Sequence, residues 1–240
     1  MSQSRCYLIY GSASRGSDLY LSRLQREEGF VILLTSASSS SSSLISLTGL
    51  GVAVSGAGDV NGDQLDDVML TALGGSGSNE IFFVYCRDKN RSVSRLELSS
   101  SSSNGSSYGG CSLLAPPLSF AGLSLASVGD VNGDGVGDVV IGSLPYRGGY
   151  KEQFSYVLFG RKSSELCEGV QLTNLTQSQG LKIQGAGIVV SGPGDVNGDG
   201  LSDILVTRFL DWRGKSGTFL VVYPPSPSRS SSLPKLKALE

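Results

Sequence analysis

An all-β fold assembled from repeated blades of a β-propeller is the architecture this sequence predicts. Three observations predict it. The apolar runs are short, rich in Val, Ile, Phe and Tyr, and bounded by Gly, Ser or Pro clusters, the pattern of strands rather than helices. A glycine-rich acidic decapeptide is written three times, as GDVNGDQLDD (58–67), GDVNGDGVGD (129–138) and GDVNGDGLSD (194–203). Each copy has the same surroundings: a small-residue run before it, a hydrophobic strand after it and an aromatic strand further on. The loops begin at Asp59, Asp130 and Asp195, spacings of 71 and 65 residues. A unit of that length with three clear strands and a weaker fourth matches one propeller blade.

In chain order, "YLIYG" (7–11) is a fourth copy of the aromatic strand, with no acidic loop ahead of it. It reads as the tail of a blade whose inner strands are missing. "LYLSRLQREEG" (19–29) is the one stretch with a modest helical pattern, and "FVILLT" (30–35) is an outer strand. Residues 1–48 thus form a leading segment closed by the serine tract at 36–43. The first repeat, 49–119, opens on "GLGVAVSGAG", continues through "DDVMLTA" and ends on "IFFVYC". The second, 120–184, runs "AGLSLASVG", "GDVVIGS", "FSYVLFG" and "LKIQG". The third, 185–225, runs "GAGIVVSGPG", "SDILVT" and "TFLVVYP". Residues 226–240 are a Ser/Pro-rich tail whose "KLKALE" reads as a vector-derived extension. Small residues suit the innermost strands, which crowd around a propeller axis, and aromatics suit the strands further out. Three blades are too few for a ring, since propellers hold roughly four to eight. The chain is therefore expected to sit beside adjacent propeller repeats or to self-associate, two copies supplying six blades, because an open ring exposes strand edges and apolar faces. The serine tracts at 36–43, 99–107 and 226–232 read as surface loops, with O-glycosylation the sharper alternative.

Composition narrows the function classes. Hydrophobic residues make up 39 % and charged residues 17 %, enough for a core and too little charge for a disordered tail. A net charge of −2 gives a nucleic-acid partner no electrostatic support. There is no histidine, which removes Ser-His-Asp and Cys-His catalysis and the usual zinc ligand. The chain reads as non-enzymatic. No apolar run reaches the length of a membrane span, and "MSQSRCYLIYG" lacks a signal-peptide pattern, leaving a cytosolic chain or one whose signal has been removed. The four cysteines, Cys6, Cys86, Cys111 and Cys167, contain no CxxC pair. Two disulfides and free buried thiols are both open readings. The sequons at Asn90, Asn104 and Asn174 fall in loop-like segments and favour a secreted glycoprotein.

The acidic loops carry the chemistry. In the second loop, Asp130, Asn132 and Asp134 alternate, Gly135 permits the turn, the Val136 carbonyl adds an oxygen and Asp138 closes the set. The third repeats this with Asp195, Asn197, Asp199, the Leu201 carbonyl and Asp203; the first has Asp59, Asn61, Asp63, the Leu65 carbonyl and Asp67. Such an all-oxygen set selects Ca²⁺ over zinc or copper and follows the opening logic of an EF-hand loop, with a strand after it in place of a helix. An Asp-Gly turn held by Asx hydrogen bonds explains one such loop. Three in register, each with carboxylates at positions 1, 5 and 9, point to up to three structural Ca²⁺ ions, because clustered carboxylates repel one another without a cation. Gln64 replaces glycine at position 6 of the first loop, and Asp66 adds charge, so the first site is expected to be weakest.

These strings, with their following "FVYC", "YVLFG" and "VVYP", resemble the FG-GAP repeat of integrin α-subunit propellers and of many surface proteins. The resemblance runs over roughly 6–224. It implies seven-bladed propellers in integrins, Ca²⁺ loops between the first two strands of a blade on one face, and partner binding through other loops, commonly on the opposite face. The FG and GAP elements are eroded here, to "FAG", "GLG" and "GAG" and to "TAL", "GSL" and "TRF". The function expected is a calcium-stabilised, non-catalytic propeller of an extracellular or cell-surface protein, acting in adhesion, protein interaction or assembly. A lectin-like carbohydrate-binding propeller using Trp212 and Tyr146, and the accessory propeller of a larger enzyme, are the alternatives.

Overall fold

The structure, a computed structural model, describes residues 4–13, 18–35, 47–74, 79–86, 94–99, 109–144, 154–162, 166–208 and 218–222. Asn90, Asn104, Tyr146, Trp212 and the tail 226–240 lie outside the described residues, as do the serine tracts except Ser99 at the edge of a strand. The described chain is all-β, with fourteen strands in four sheets.

The first sheet pairs β1 (Arg5–Ile9) with β2 (Gly29–Thr35) in antiparallel register, Tyr7 opposite Val31. The first repeat then supplies β3 (Leu47–Gly58), β4 (Asp67–Gly74) and β5 (Glu80–Val84). Before the chain completes this second sheet it makes a detour. β6 (Arg95–Ser99) pairs parallel with β2, Val31 opposite Arg95, and closes the outer edge of the first sheet. β7 (Gly110–Leu114) then returns to lie against β5, giving the antiparallel order β3-β4-β5-β7. β6 is not among the strands expected from the sequence. "RLELS" alternates apolar and charged residues as a half-buried strand should, but nothing local says which sheet receives it.

The second repeat forms a full four-stranded sheet from β8 (Ser124–Gly129), β9 (Asp138–Gly142), β10 (Phe154–Leu158) and β11 (Gly180–Gln184), paired in sequence. The third supplies β12 (Val190–Gly194), β13 (Asp203–Arg208) and β14 (Thr218–Val222). The strings chosen from periodicity and turn residues are therefore strands, and the acidic loops join the first and second strand of each repeat.

The sheets pack face to face in chain order. Phe30, Ile32, Leu34, Leu96 and Leu98 of the first meet Leu70, Ala72, Phe82 and Val84 of the second. Met69, Ile81, Phe83 and Leu113 on the opposite face of the second meet Val139, Ile141, Tyr156 and Leu158 of the third. Val140, Val157 and Ile183 face Val190, Ile204 and Val206 of the fourth. Because the middle strands are covered on both faces, neighbours such as Met69 and Leu70 serve different cores, and β5 and β9 are buried throughout. β3, β8 and β12 lie side by side. Their small residues are required: a Cβ at Gly192 would overlap the Ser127 carbonyl. This is the arrangement of propeller blades around an axis. No sheet closes a ring among the described residues. Val52 and Val54 of β3 stay 43 % and 64 % exposed.

Residues 19–29 are not a helix. Apart from one 3-10 turn, Leu21–Arg23, they form a connection between strands. That connection repeats the one between β10 and β11. Arg23 donates its N–H to the Tyr20 carbonyl as Asn174 does to Gln171. Glu28 and Gly29 donate to Gln25 as Gln179 and Gly180 do to Thr176. The Glu28 side chain accepts the Gln25 N–H as Gln179 accepts that of Thr176. β1 and β2 are thus the third and fourth strands of a blade, as the aromatic "YLIYG" implied. The apparent helical periodicity came from Leu21 and Leu24, spaced for a 3-10 turn and its exit.

Cys111 and Cys167 form a disulfide, whereas Cys6 and Cys86 are free. Neither two disulfides nor four free thiols describes the chain. The bond joins β7 of the second sheet to the connection after β10 of the third.

Candidate cation-binding rim

The three loops share one hydrogen-bonded form. The position-1 aspartate turns its carboxylate inward, where it accepts backbone N–H groups from its own loop. Asp59 Oδ1 accepts Gly62 and Asp63 at 2.7 and 2.9 Å, and its Oδ2 accepts Gln64 at 2.8 Å. Asp130 accepts Gly133, Asp134 and Gly135 at 2.6, 3.2 and 2.8 Å. Asp195 accepts Gly198, Asp199 and Gly200 at 2.7, 3.2 and 2.8 Å. The Gly200 N–H, foremost among these donors, holds the Asp195 carboxyl below the usual carboxylate range. Position 5 caps position 7: Asp63, Asp134 and Asp199 accept the N–H groups of Leu65, Val136 and Leu201 at 2.9, 2.9 and 3.0 Å.

Position 9 is different, because it is buried. Asp67, Asp138 and Asp203 are 1 %, 0 % and 0 % exposed at the foot of the second strand. Each accepts the N–H of position 2: Val60 at 3.3 Å, Val131 at 2.8 Å and Val196 at 2.7 Å. Asp67 also accepts Cys86, and Asp138 accepts Gly160, both at 2.8 Å, so each carboxylate ties the loop to the exit of the third strand. Gly160 has no room for a side chain, since a Cβ would overlap the Gly137 carbonyl. Burial pushes the Asp67 and Asp138 carboxyls up to about 7, outweighing these N–H donors. The loop carboxylates, Asp63 and Asp59 around the first and Asp134 and Asp130 around the second, push the same way. Buried anions without a cation are costly, and the shifts express that cost.

Position 6 distinguishes the first loop from the other two. Gln64 is held at φ 70°, matching Gly135 at 82° and Gly200 at 89°. The backbone does require the left-handed region, and Gln64 is the residue strained by it.

By chemistry, the oxygens at positions 1, 3, 5 and 9 and the position-7 carbonyl suit a hard divalent cation. Among the described residues, however, no group of three or more acidic, cysteine or histidine side chains is drawn together as a metal cage. Asn61 and Asn132 donate instead to Asp63 and Asp134, at 3.2 and 2.9 Å, and Asn197 reaches Asp203 at 3.4 Å. The nine carboxylates at positions 1, 5 and 9 of the three loops accept backbone N–H groups, as in an Asx-type turn.

The sequence did not reveal that the loops are joined to each other. The Asp59 carbonyl accepts the Gly137 N–H of the second loop at 2.9 Å, and the Asp130 carbonyl accepts the Ser202 N–H of the third at 3.0 Å. The Val60 carbonyl accepts Arg161 at 2.9 Å. The only local signal is that position 8 is small in the second and third loops. With these bonds the acidic loops form one continuous rim on one end of the sheets. At the first loop, Leu65 is 38 % exposed, whereas Val136 and Leu201 are buried at 4 % and 9 %.

The FG-GAP repeat family matches residues 121–158, the segment from β8 through β10. Integrin alpha pat-2 of Caenorhabditis briggsae is 34 % identical over 103 residues, covering 43 % of this chain and 8 % of the relative. Integrin alpha pat-2 of Caenorhabditis elegans is 32 % identical over 108 residues, with the same coverage of 43 % and 8 %. The chain thus carries an integrin-like FG-GAP repeat and spans less than a tenth of the length of these curated relatives. No helix among the described residues is long and apolar enough to cross a membrane.

Proposed function

With an integrin-like FG-GAP repeat as premise, we propose that the chain is a non-catalytic, calcium-stabilised propeller segment of a cell-surface protein, acting in adhesion or protein interaction. The observation that carries this reading is the rim: three acidic loops of one form, each with a carboxylate buried at its base. Calcium would neutralise that charge and supply no chemistry of its own. Asp59, Asp130 and Asp195, with the residues at positions 3, 5 and 9 of each loop, would hold it. Extracellular modules of modest affinity bind Ca²⁺ at roughly 10⁻⁴–10⁻³ M, and binding to the folded state alone raises stability by mass action. The Cys111–Cys167 disulfide supports an oxidising compartment.

The test is thermal unfolding with millimolar calcium and with chelator. Calcium is expected to raise the melting temperature, with two stronger sites and a weaker first one by calorimetry. An unchanged melting temperature would sink the calcium reading, and equal affinity at three sites would remove the ranking.

A further inference from the structure

Of the three sequons, Asn174-Leu175-Thr176 is the one among the described residues. It lies in the connection between β10 and β11, at the end of the 3-10 turn Leu172–Asn174. Leu172 anchors this turn, 2 % exposed within the core between the second and third sheets, while Asn174 and Thr176 are exposed. The bonds that hold the connection bypass the Asn174 carboxamide. The Thr176 hydroxyl pairs with that of Ser178 at 3.2 Å, the Thr176 N–H donates to Gln179 Oε1 at 3.0 Å, and the Thr176 carbonyl accepts Gln179 and Gly180. A bulky group on Asn174 Nδ2 therefore meets solvent and breaks no hydrogen bond among the described residues. The disulfide at Cys167 lies in the same connection, and disulfides persist in the compartments where N-linked glycans are added and displayed.

We propose that Asn174 carries an N-linked oligosaccharide. The reaction is a group transfer without redox change. Nδ2 attacks C1 of a lipid-diphosphate-linked oligosaccharide, the N–C1 bond forms, the C1–O bond to the diphosphate breaks, and the lipid diphosphate leaves with the electron pair. Nδ2 gives up one proton to a base of the transferring enzyme. The Gly160 N–H, at the start of this same connection, bonds Asp138, so the glycan stands at the end of the sheets that carries the acidic rim. It screens that end beside the third sheet.

The proposal rests on the cell-surface reading above, and its test separates the two. Protein isolated from the cell that makes it is digested without reduction and analysed by mass spectrometry, before and after peptide-N-glycosidase. The peptide with Asn174 is expected to carry glycan mass, and enzymatic release is expected to leave aspartate at 174. Asn174→Gln and Thr176→Ala should each lose one glycan with an unchanged melting temperature of the deglycosylated protein, and Thr176→Ser should keep it at lower occupancy. Linked Cys111 and Cys167 with bare Asn174 would overturn the glycan and leave the location standing. Free thiols at both cysteines with bare Asn174 would overturn both.

Discussion

Position 6 of the acidic loop shows how far one side chain can be argued. Gln64 sits at φ 70° where its counterparts are glycine, at a cost of about 1 kcal/mol. Gln64→Gly is expected to raise stability by about that much and to narrow the affinity gap between the first calcium site and the others, read by thermal unfolding and calorimetry. Gly135→Ala should lose a similar amount, since a Cβ there meets no atom within 4 Å and the penalty is the backbone's alone. Asp67 and Asp138 make a pH prediction. Their folded-state carboxyls, at about 7, titrate well above the unfolded value near 3.8. The native state therefore binds more protons than the unfolded chain between about pH 4 and 7, and stability of the calcium-free protein should fall as pH rises through that window. Calcium should flatten the trend, because it replaces the protons. A calcium-free melting temperature that rises from pH 4 to 7 would contradict the assignment. At this scale the sequence was highly legible. The shared form of the three loops and the odd Gln64 could be read from it, because a turn with alternating oxygens is a local pattern. It did not reveal that of the loop carboxylates only those at position 9 are buried, since burial comes from the neighbouring sheet.

Among the elements, the strands were legible wherever both faces are covered, because "IFFVY", "DVVIG" and "SYVLF" are short apolar runs with clear stops. Phe82 is one such residue, fully buried in the core between the first two sheets. Phe82→Ala should cost about 3–5 kcal/mol by chemical denaturation. The sequence was less legible where pairing is non-local. Residues 19–29 looked helical because Leu21 and Leu24 mimic a helical stripe, and only their hydrogen-bond match to 170–180 shows a strand connection. The cysteines gave no pairing, since Cys111 and Cys167 are brought together only by packing of adjacent sheets. Removing that bond with Cys167→Ser should cost about 2–5 kcal/mol. A mutant that melts with the parent under oxidising conditions would mean that the bond constrains nothing.

For the molecule as a whole, the decisive fact is that each repeat is a blade and that the leading segment is only the outer half of one. The first sheet has third and fourth strands, β1 and β2, and no inner pair among the described residues. Its β1 edge is where the second strand of a blade sits in the neighbouring sheets. A hairpin like β3–β4 or β8–β9, from adjacent repeats or a second copy, is the partner this edge fits. Particle mass by sedimentation or light scattering is expected to exceed that of one chain when no further repeats are attached. A stable monomer at micromolar concentration would rule out completion by copies. The three sheets that begin with an acidic loop follow the repeat of that loop in the sequence, whereas the arrangement at the incomplete blade was not legible, because no local pattern encodes a partner strand.

The detour of β6 has a consequence for how the molecule is made. Val31 must wait for Arg95 before the outer edge of β2 is covered. A chain emerging from the ribosome folds progressively from its N-terminus, so this hydrogen-bonding edge stays open while the whole of β3, β4 and β5 is synthesised. The first sheet is thereby completed only after three strands of the second have been made, and the second only after it, when β7 arrives. The chain cannot be divided between them, since a cut before residue 95 would leave β2 a permanently adhesive edge.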